Sequence, residues 1–199
     1  WNASTLSNEY ENFIDDEVHL LGDLDFSSTP KVNVRYIGQT TNGHRRVFTG
    51  TFNGNNHTIR NLVMLNDGTI SERRDTALFI DFGGTIRDLF FDSSCFFQGQ
   101  GAASVAIYSR TATYENVHSA ATISGKHLGG LFCWVDKDET VTVKNCSFSG
   151  KMIVIKSYND HSRAGGAVGF ATNGNVNVDS FVFSGVIHGT SSWGMHTHI

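Results

Sequence analysis

The chain has little of several residue types, and each shortage excludes a class of protein. Proline occurs once in 199 residues, at Pro30, which excludes a proline-rich linker. Charged residues make up 17 % of the chain and the net charge is −4, so the basic surface typical of nucleic-acid-binding proteins is missing. No apolar run approaches the roughly 18 residues of a membrane span. With 39 % hydrophobic residues, the chain is long enough for one domain with a substantial core.

A seven-residue motif recurs down the chain and indicates the fold. Thr58–Met64 reads TIRNLVM and Thr85–Phe91 reads TIRDLFF. Three further copies follow, and the fourth positions of the five copies are 27, 28, 29 and 35 residues apart. A period of this size is typical of stacked supersecondary units. These fourth positions are Asn61, Asp88, Asn116, Asn145 and Ser180.

A second short element, beginning at Ala77, Val105, Gly129 and Gly165, recurs in step with the first. Each unit therefore holds at least two short runs rich in Val, Ile and Phe, separated by turn residues. Such units wind into a solenoid whose equivalent strands pair in parallel, about 4.8 Å apart. We predict a single all-β domain, a right-handed parallel β-helix of about six rungs over residues 19–199.

The N-terminal residues 1–18 differ from the repeats. Tyr10, Phe13 and Ile14 would share one face of a helix. A solenoid must cover the exposed end of its first rung, so we predict a short capping helix here. Because the chain opens on Trp1 and has no closing segment after Trp193, we also expect it to be part of a longer protein.

The fourth position of the motif is polar while its neighbours are apolar. We predict a structural ladder at a bend between strands, in which an Asn amide donates to one coil and accepts from the next. A row of ligand side chains is the alternative. The position before it is charged and predicted to face outward, as a solvated ladder whose pairs contribute about 0–1 kcal/mol each. The alternative is an anionic-glycan site at Arg60 and Arg87, with Arg45 and Arg46 nearby. The charged column is Arg60, Arg87, Glu115, Lys144 and Asp179.

Coil length varies at residues 66–75, 136–140 and 157–163, and insertions in solenoids often carry the binding surface. The fourth coil owes its extra length to the third of these insertions. We predict ligand or partner contacts there. The candidate residues are Tyr158, Asn159, Asp160, His161 and Arg163.

Catalytic and metal-binding patterns are weak. A glycosidase needs two carboxylates about 5–9.5 Å apart, yet no two coils align acid over acid, and Asp88 and Asp92 lie on one coil. We therefore predict no catalytic residues, no metal and no cofactor. A weak Ca²⁺ site in one loop is conceivable, although a solvated turn is favoured. Its three carboxylates would be Asp136, Asp138 and Glu139.

Cysteine is also scarce, with three residues, which excludes a disulfide scaffold. Cys146 falls in an inward column and is predicted to be a small core residue. A bridge between Cys133 and Cys146 remains open, and Cys95 has no assigned role. Three sequons allow N-glycosylation along a secretory route, although chance alone gives about this number. They begin at Asn2, Asn56 and Asn145.

Several phrases together resemble the GLUG-type repeat family. They are VFTGTFNGNNHTIRNL from Val47, GGLF from Gly129, KNCSFSG from Lys144 and GGAVG from Gly165. The resemblance runs from about Leu20 to the end of the chain and departs from the pattern at Ala103–Tyr108, where the Gly-Gly pair is missing. It implies a right-handed parallel β-helix displayed outside the cell, as in surface adhesins. It implies no catalytic residues.

We therefore predict a non-catalytic extracellular or cell-surface module for adhesion to, or recognition of, a glycan or protein. It would bind no nucleic acid and insert in no membrane. One alternative is a structural subunit that assembles end to end through an open C-terminal rung, into a filament or sheath. A second alternative is a polysaccharide-active enzyme.

Overall fold

The computed structural model describes residues 16–28, 37, 47–66, 75–155 and 162–189, with the backbone of 196–198. These ranges form β-strands, and no helix occurs among them. The strands are β1 (Glu17–His19), β2 (Leu24–Asp25), β3 (Thr51–Arg60), β4 (Val63–Leu65), β5 (Phe79–Phe82), β6 (Thr85–Phe91), β7 (Phe96–Ala103), β8 (Ala106–Ser109), β9 (Ala112–Ser119), β10 (Thr122–Gly129), β11 (Phe132–Val135), β12 (Thr140–Phe148), β13 (Lys151–Val154), β14 (Arg163–Gly165), β15 (Val168–Ala171), β16 (Asn175–Phe183), β17 (Val186–Gly189) and β18 (His196–His198).

The strands form three parallel sheets wound into one β-solenoid. The first sheet holds β1, β2, β3, β6, β9, β12 and β16, and the second holds β4, β7, β10, β13, β14, β17 and β18. The third sheet has the order β15-β11-β8-β5. One coil contributes to each sheet in turn, so the all-β parallel solenoid is confirmed. The described residues complete four turns rather than the six predicted, and the predicted capping helix lies outside them.

The core is a continuous stack of apolar side chains inside the three sheets. Tyr114, Phe132 and Phe148 are fully buried, and successive coils place aromatic rings in contact. The ring of Tyr114 lies 4.8 Å from that of Phe132 and 5.8 Å from that of Phe82. Since no coil covers its own inner face, each depends on its neighbours for burial.

All three cysteines are buried and free, so the bridge left open between Cys133 and Cys146 is not formed. Burial raises the pKa of the Cys95 and Cys146 thiols to about 11, and it raises that of Cys133 as well. They act as small apolar residues of the core, as predicted for Cys146.

The first coil corrects the predicted register. Sequence similarity aligns Ile59 with Ile86, whereas the strands pair Phe52 with Ile86 and Ile59 with Phe91. The register shifts at a bulge in β3, where Asn55 and Asn56 have φ of 49° and 61°. Gly54 lies beside it, and a Cβ there would sit 2.3 Å from the carbonyl oxygen of Asp88. A run of Asn and Gly tolerates left-handed backbone, so the extra residues are absorbed there.

Candidate functional site: an aromatic corner

Two of the three variable loops end in the second sheet, one beside β7 and the other beside β10, and these two strands pair with each other. The loop predicted to bind spans residues that the structure leaves undescribed at 156–161, so Tyr158, Asn159, Asp160 and His161 lie outside the described part of the chain. The loop ends at Arg163, which opens β14 and pairs with His127 of β10. The loop at 66–75 ends at Asp75, whose Oδ1 accepts a 2.8 Å hydrogen bond from the amide of Gly101.

Three half-buried aromatic residues form a column on the outside of the third sheet. Tyr108, Trp134 and Phe170 occupy the same register position on β8, β11 and β15. Parallel strands about 4.8 Å apart bring such side chains together. The rings of Tyr108 and Trp134 stack with centroids 5.3 Å apart and an interplanar angle of 18°. The column therefore exposes contiguous aromatic surface.

A second wall meets this column where the second sheet turns into the third. The wall consists of Gly101, His127 and Arg163, and each lies seven positions before an aromatic residue of the column. The His127 ring lies 5.5 Å from that of Trp134, and the Arg163 guanidinium carbon lies 4.1 Å from the centroid of Phe170. At Gly101 a Cβ would lie 2.4 Å from the Trp134 ring, so only glycine fits there. The aromatic corner consists of Gly101, Tyr108, His127, Trp134, Arg163 and Phe170.

The corner combines apolar ring surface with a few polar groups, a combination typical of small-molecule sites. Tyr and Trp carry a polar atom on an apolar body, and a stacked guanidinium keeps its planar set of donors. Sequence reasoning found Arg163 and missed the rest. The available signal was the recurring spacing of seven residues between the wall and the column.

The predicted ladder position lies at a bend, where backbone φ is positive. Asp88, Asn116, Asn145 and Ser180 have φ between 46° and 71°. The Asn116 amide donates to Asp88 Oδ1 at 2.7 Å, and its carbonyl oxygen accepts from Asn145 Nδ2 at 3.3 Å. Asn61 was predicted to belong to this ladder and does not, because the bulge in β3 shifts it to another corner of the coil. There it donates to Asp25 at 2.8 Å.

The charged column joins four coils, with Arg87, Glu115, Lys144 and Asp179 paired in register. Arg60 is again displaced by the bulge. It contacts Asp23 at 3.0 Å, while Arg87 contacts Glu17 at 2.9 Å.

The two arginines of the alternative, a basic patch, are thus paired with carboxylates. Arg45 and Arg46 lie outside the described residues. Carboxylate pairing leaves neither Arg60 nor Arg87 as an open anion contact.

A groove of about 490 Å³ runs along the edge where the third sheet turns into the first. Beside it, Glu139 Oε2 accepts from the backbone amide and hydroxyl of Thr111 at 2.7 and 2.8 Å. This carboxylate, one of the three considered as a weak Ca²⁺ site, is thus used within the protein. Among the described residues, no group of three or more His, Cys, Asp or Glu is placed to hold a metal ion. The lining is Thr49, Gly50, Thr51, Gly83, Gly84, Thr85, Thr111, Ala112, Thr113, Thr140 and Thr142.

Two sequon asparagines are described, and both are exposed. Asn56 lies in the bulge of β3. The amide nitrogen of Asn145 donates to Asn116, and a glycan attached there would leave this nitrogen one hydrogen with which to donate. Asn2 lies outside the described residues.

A histidine on the first sheet supports a pH prediction. His118 Nε2 lies 2.8 Å from Asn116 Oδ1, and Nδ1 lies 2.8 Å from Ser147 Oγ. Desolvation lowers the pKa of His118, so below the unfolded-state pKa of about 6.5 the unfolded chain binds the proton first. Stability should fall as pH drops through this range. His118→Gln should flatten that part of a denaturant-derived stability curve. Parallel curves for the two proteins would contradict the assignment.

Comparison with known proteins gives one distant relative. The chain is 28 % identical over 127 residues to halomucin of Haloquadratum walsbyi (strain DSM 16790 / HBSQ001). The alignment covers 62 % of this chain and 1 % of halomucin. No protein-family model matches the chain, and no solved structure matches it. In the part of the chain that the structure describes, no helix is long and apolar enough to cross a membrane.

Proposed function

We propose that the chain is a non-catalytic recognition module displayed outside the cell, and that it binds glycans at the aromatic corner. The observation that carries this proposal is the stacked pair Tyr108 and Trp134 beside His127 and Arg163, where two variable loops end. Sugar rings offer apolar C–H faces edged by hydroxyl groups. Aromatic surface beside hydrogen-bonding side chains complements both features.

The setting supports an extracellular role. A parallel solenoid holds its outer side chains in fixed register, so the corner is preorganised and binding costs little ordering entropy. The relative is named as a mucin, and mucins are glycoproteins of the cell exterior. The resemblance to GLUG-type surface repeats points to the same location.

Trp134→Ala tests the proposal. A glycan array should identify ligands of the wild-type protein, and the variant should lose at least about tenfold in affinity, as truncation of a binding aromatic does. Phe90→Ala is the matched control, since Phe90 is a half-buried aromatic on the first sheet that stacks on His118. Equal far-ultraviolet circular dichroism would show that both variants fold. Wild-type protein that binds no glycan, or Trp134→Ala that binds as wild type, would refute the proposal.

The absence of catalysis is part of this proposal. Asp88, one of the two carboxylates considered as a catalytic pair, accepts a hydrogen bond from Asn116 and lies at a structural bend. Incubation of the protein with its glycan ligands should produce no new reducing ends or unsaturated products. Release that Asp88→Asn abolishes would show a polysaccharide-active enzyme instead.

End-to-end assembly is a second candidate function, favoured by one observation. Strand β16 pairs with β12 on one side, and no other described strand pairs with it. Val178 and Val182 on this strand are 56 % and 58 % exposed, and Val186 is 52 % exposed. An open edge with exposed valines is a template for another chain.

Light scattering over a hundredfold concentration range tests this assembly. Rods that Val178→Lys prevents would support it, because Val178 continues an inner column that a charge would block. A protein that stays monomeric at every concentration would exclude self-assembly of this chain. Glycan binding is independent of either result.

A further inference from the structure

We infer that the aromatic corner selects acidic saccharides, with Arg163 binding the sugar carboxylate while Trp134 contacts the ring. This inference rests on the proposed glycan-binding function and specifies its ligand class. It depends on how Arg163 differs from the other arginines that the structure describes.

Three of the four described arginines are paired with carboxylates. Arg60 contacts Asp23, Arg87 contacts Glu17, and Arg110 contacts Asp81 at 2.8 Å. Within the described part of the chain, Arg163 has no carboxylate within ion-pair distance. Its charge is therefore not cancelled by a neighbouring acid of this set.

The Arg163 side chain is nevertheless held in place. Its guanidinium carbon lies 4.1 Å from the centroid of the Phe170 ring, and its backbone is fixed by pairing with β10 and β18. Stacking on an aromatic face orients the planar guanidinium and leaves its edge donors for a ligand. Such a fork matches a carboxylate with two parallel hydrogen bonds.

The distance to the aromatic column suits a single sugar unit. Phe170 is the register partner of Trp134, so the arginine and the tryptophan belong to adjacent coils, about 4.8 Å apart. A pyranose ring against Trp134 can therefore place a carboxylate on its own ring carbon at Arg163. A neutral sugar would make the aromatic contacts and lack the charge-assisted bonds.

The sign of charge varies along the corner, which would orient an acidic ligand. Asp75 lies at the Gly101 end, where its Oδ1 accepts a hydrogen bond from the Gly101 amide. Arg163 lies at the opposite end, one coil beyond His127. A carboxylate is repelled at the first end and attracted at the second, so the sugar acid group should point toward β14.

Matched ligands test the inference on the whole chain. Calorimetry should compare oligogalacturonate with its methyl ester, and N-acetylneuraminic acid with its methyl ester. We expect at least one acid to bind about tenfold more tightly than its ester. Arg163→Gln should remove this preference and keep ester binding. Arg163→Lys should restore little of it, because an ammonium cannot form the fork. Lys144→Gln, an exposed cation on the first sheet, is the control.

The outcomes separate the two proposals. If the wild-type protein binds acid and ester with equal affinity and Trp134→Ala binds neither, the acidic preference is overturned and the proposed glycan binding stands. No binding of any acid or ester by wild-type protein would overturn the inference, and a glycan array without ligands would overturn the proposed function as well. A preference for the acid over its ester that survives Arg163→Gln would show that other residues bind the carboxylate. A polyglutamate peptide that binds as tightly as the sugar acid would show a protein-directed site instead.

Discussion

Tyr114→Ala is expected to lower the free energy of unfolding by about 4 kcal/mol, the typical cost of emptying a large aromatic site in a core. Tyr114 is fully buried and lies at the centre of the stack, with Phe132 on one side and Phe82 on the other. The coils on either side cannot collapse into the space, because their strands are held at a fixed spacing. Urea denaturation followed by circular dichroism measures the loss.

The hydroxyl group of this residue provides the control. Tyr114 and Ser109 share a buried hydrogen bond, and burial raises the pKa of Tyr114. Tyr114→Phe keeps the ring and leaves the Ser109 hydroxyl without this bond, so the expected cost is about 1–2 kcal/mol. A Tyr114→Ala variant no less stable than Tyr114→Phe would show that ring packing contributes little.

The repeat could be predicted from sequence because residues one repeat apart along a solenoid are neighbours in adjacent coils. Asp88, Asn116 and Asn145 recur at intervals of 28 and 29 residues, and a bend that needs positive φ selects Asn, Asp or Gly. Position in the sequence and position in the stack therefore coincide over these coils.

The first coil was misaligned because local similarity concealed a bulge. Thr58–Met64 is identical to Thr85–Phe91 at four of seven positions, yet β3 carries extra residues before that motif and pairs through its earlier part. A shift of a few residues in one coil has no signature in the motif itself. Only the pairing of the backbones reveals it.

The aromatic corner was missed for a different reason. Its two walls belong to different sheets, and contact between His127 and Trp134 depends on the angle at which β10 turns into β11. Periodicity assigns columns within a sheet and gives no angle between sheets. The loop before Arg163 drew attention to this edge of the solenoid through its length alone.

Arg110→Met is expected to destabilise the protein by about 2–3 kcal/mol. Arg110 donates two hydrogen bonds to Asp81, at 2.8 and 2.9 Å, and Asp81 is only 1 % exposed. Removal of one partner of a fully buried pair costs about 3–5 kcal/mol because a buried charge remains. The Arg110 side chain is 36 % exposed, so water can reach part of the site and the expected cost is smaller.

A double-mutant cycle identifies the origin of this loss. Asp81→Asn combined with Arg110→Met removes both charges, so the double variant should be more stable than Arg110→Met alone. The Asp81 carboxylate raises the pKa of Arg110, and Glu139 lies 3.8 Å from the same guanidinium. Glu139→Gln should therefore cost less than either change at the Asp81 pair. Additive effects of Asp81→Asn and Arg110→Met would show that the two residues act independently, and that the turn into the first sheet is held by its backbone pairing rather than by this charge pair.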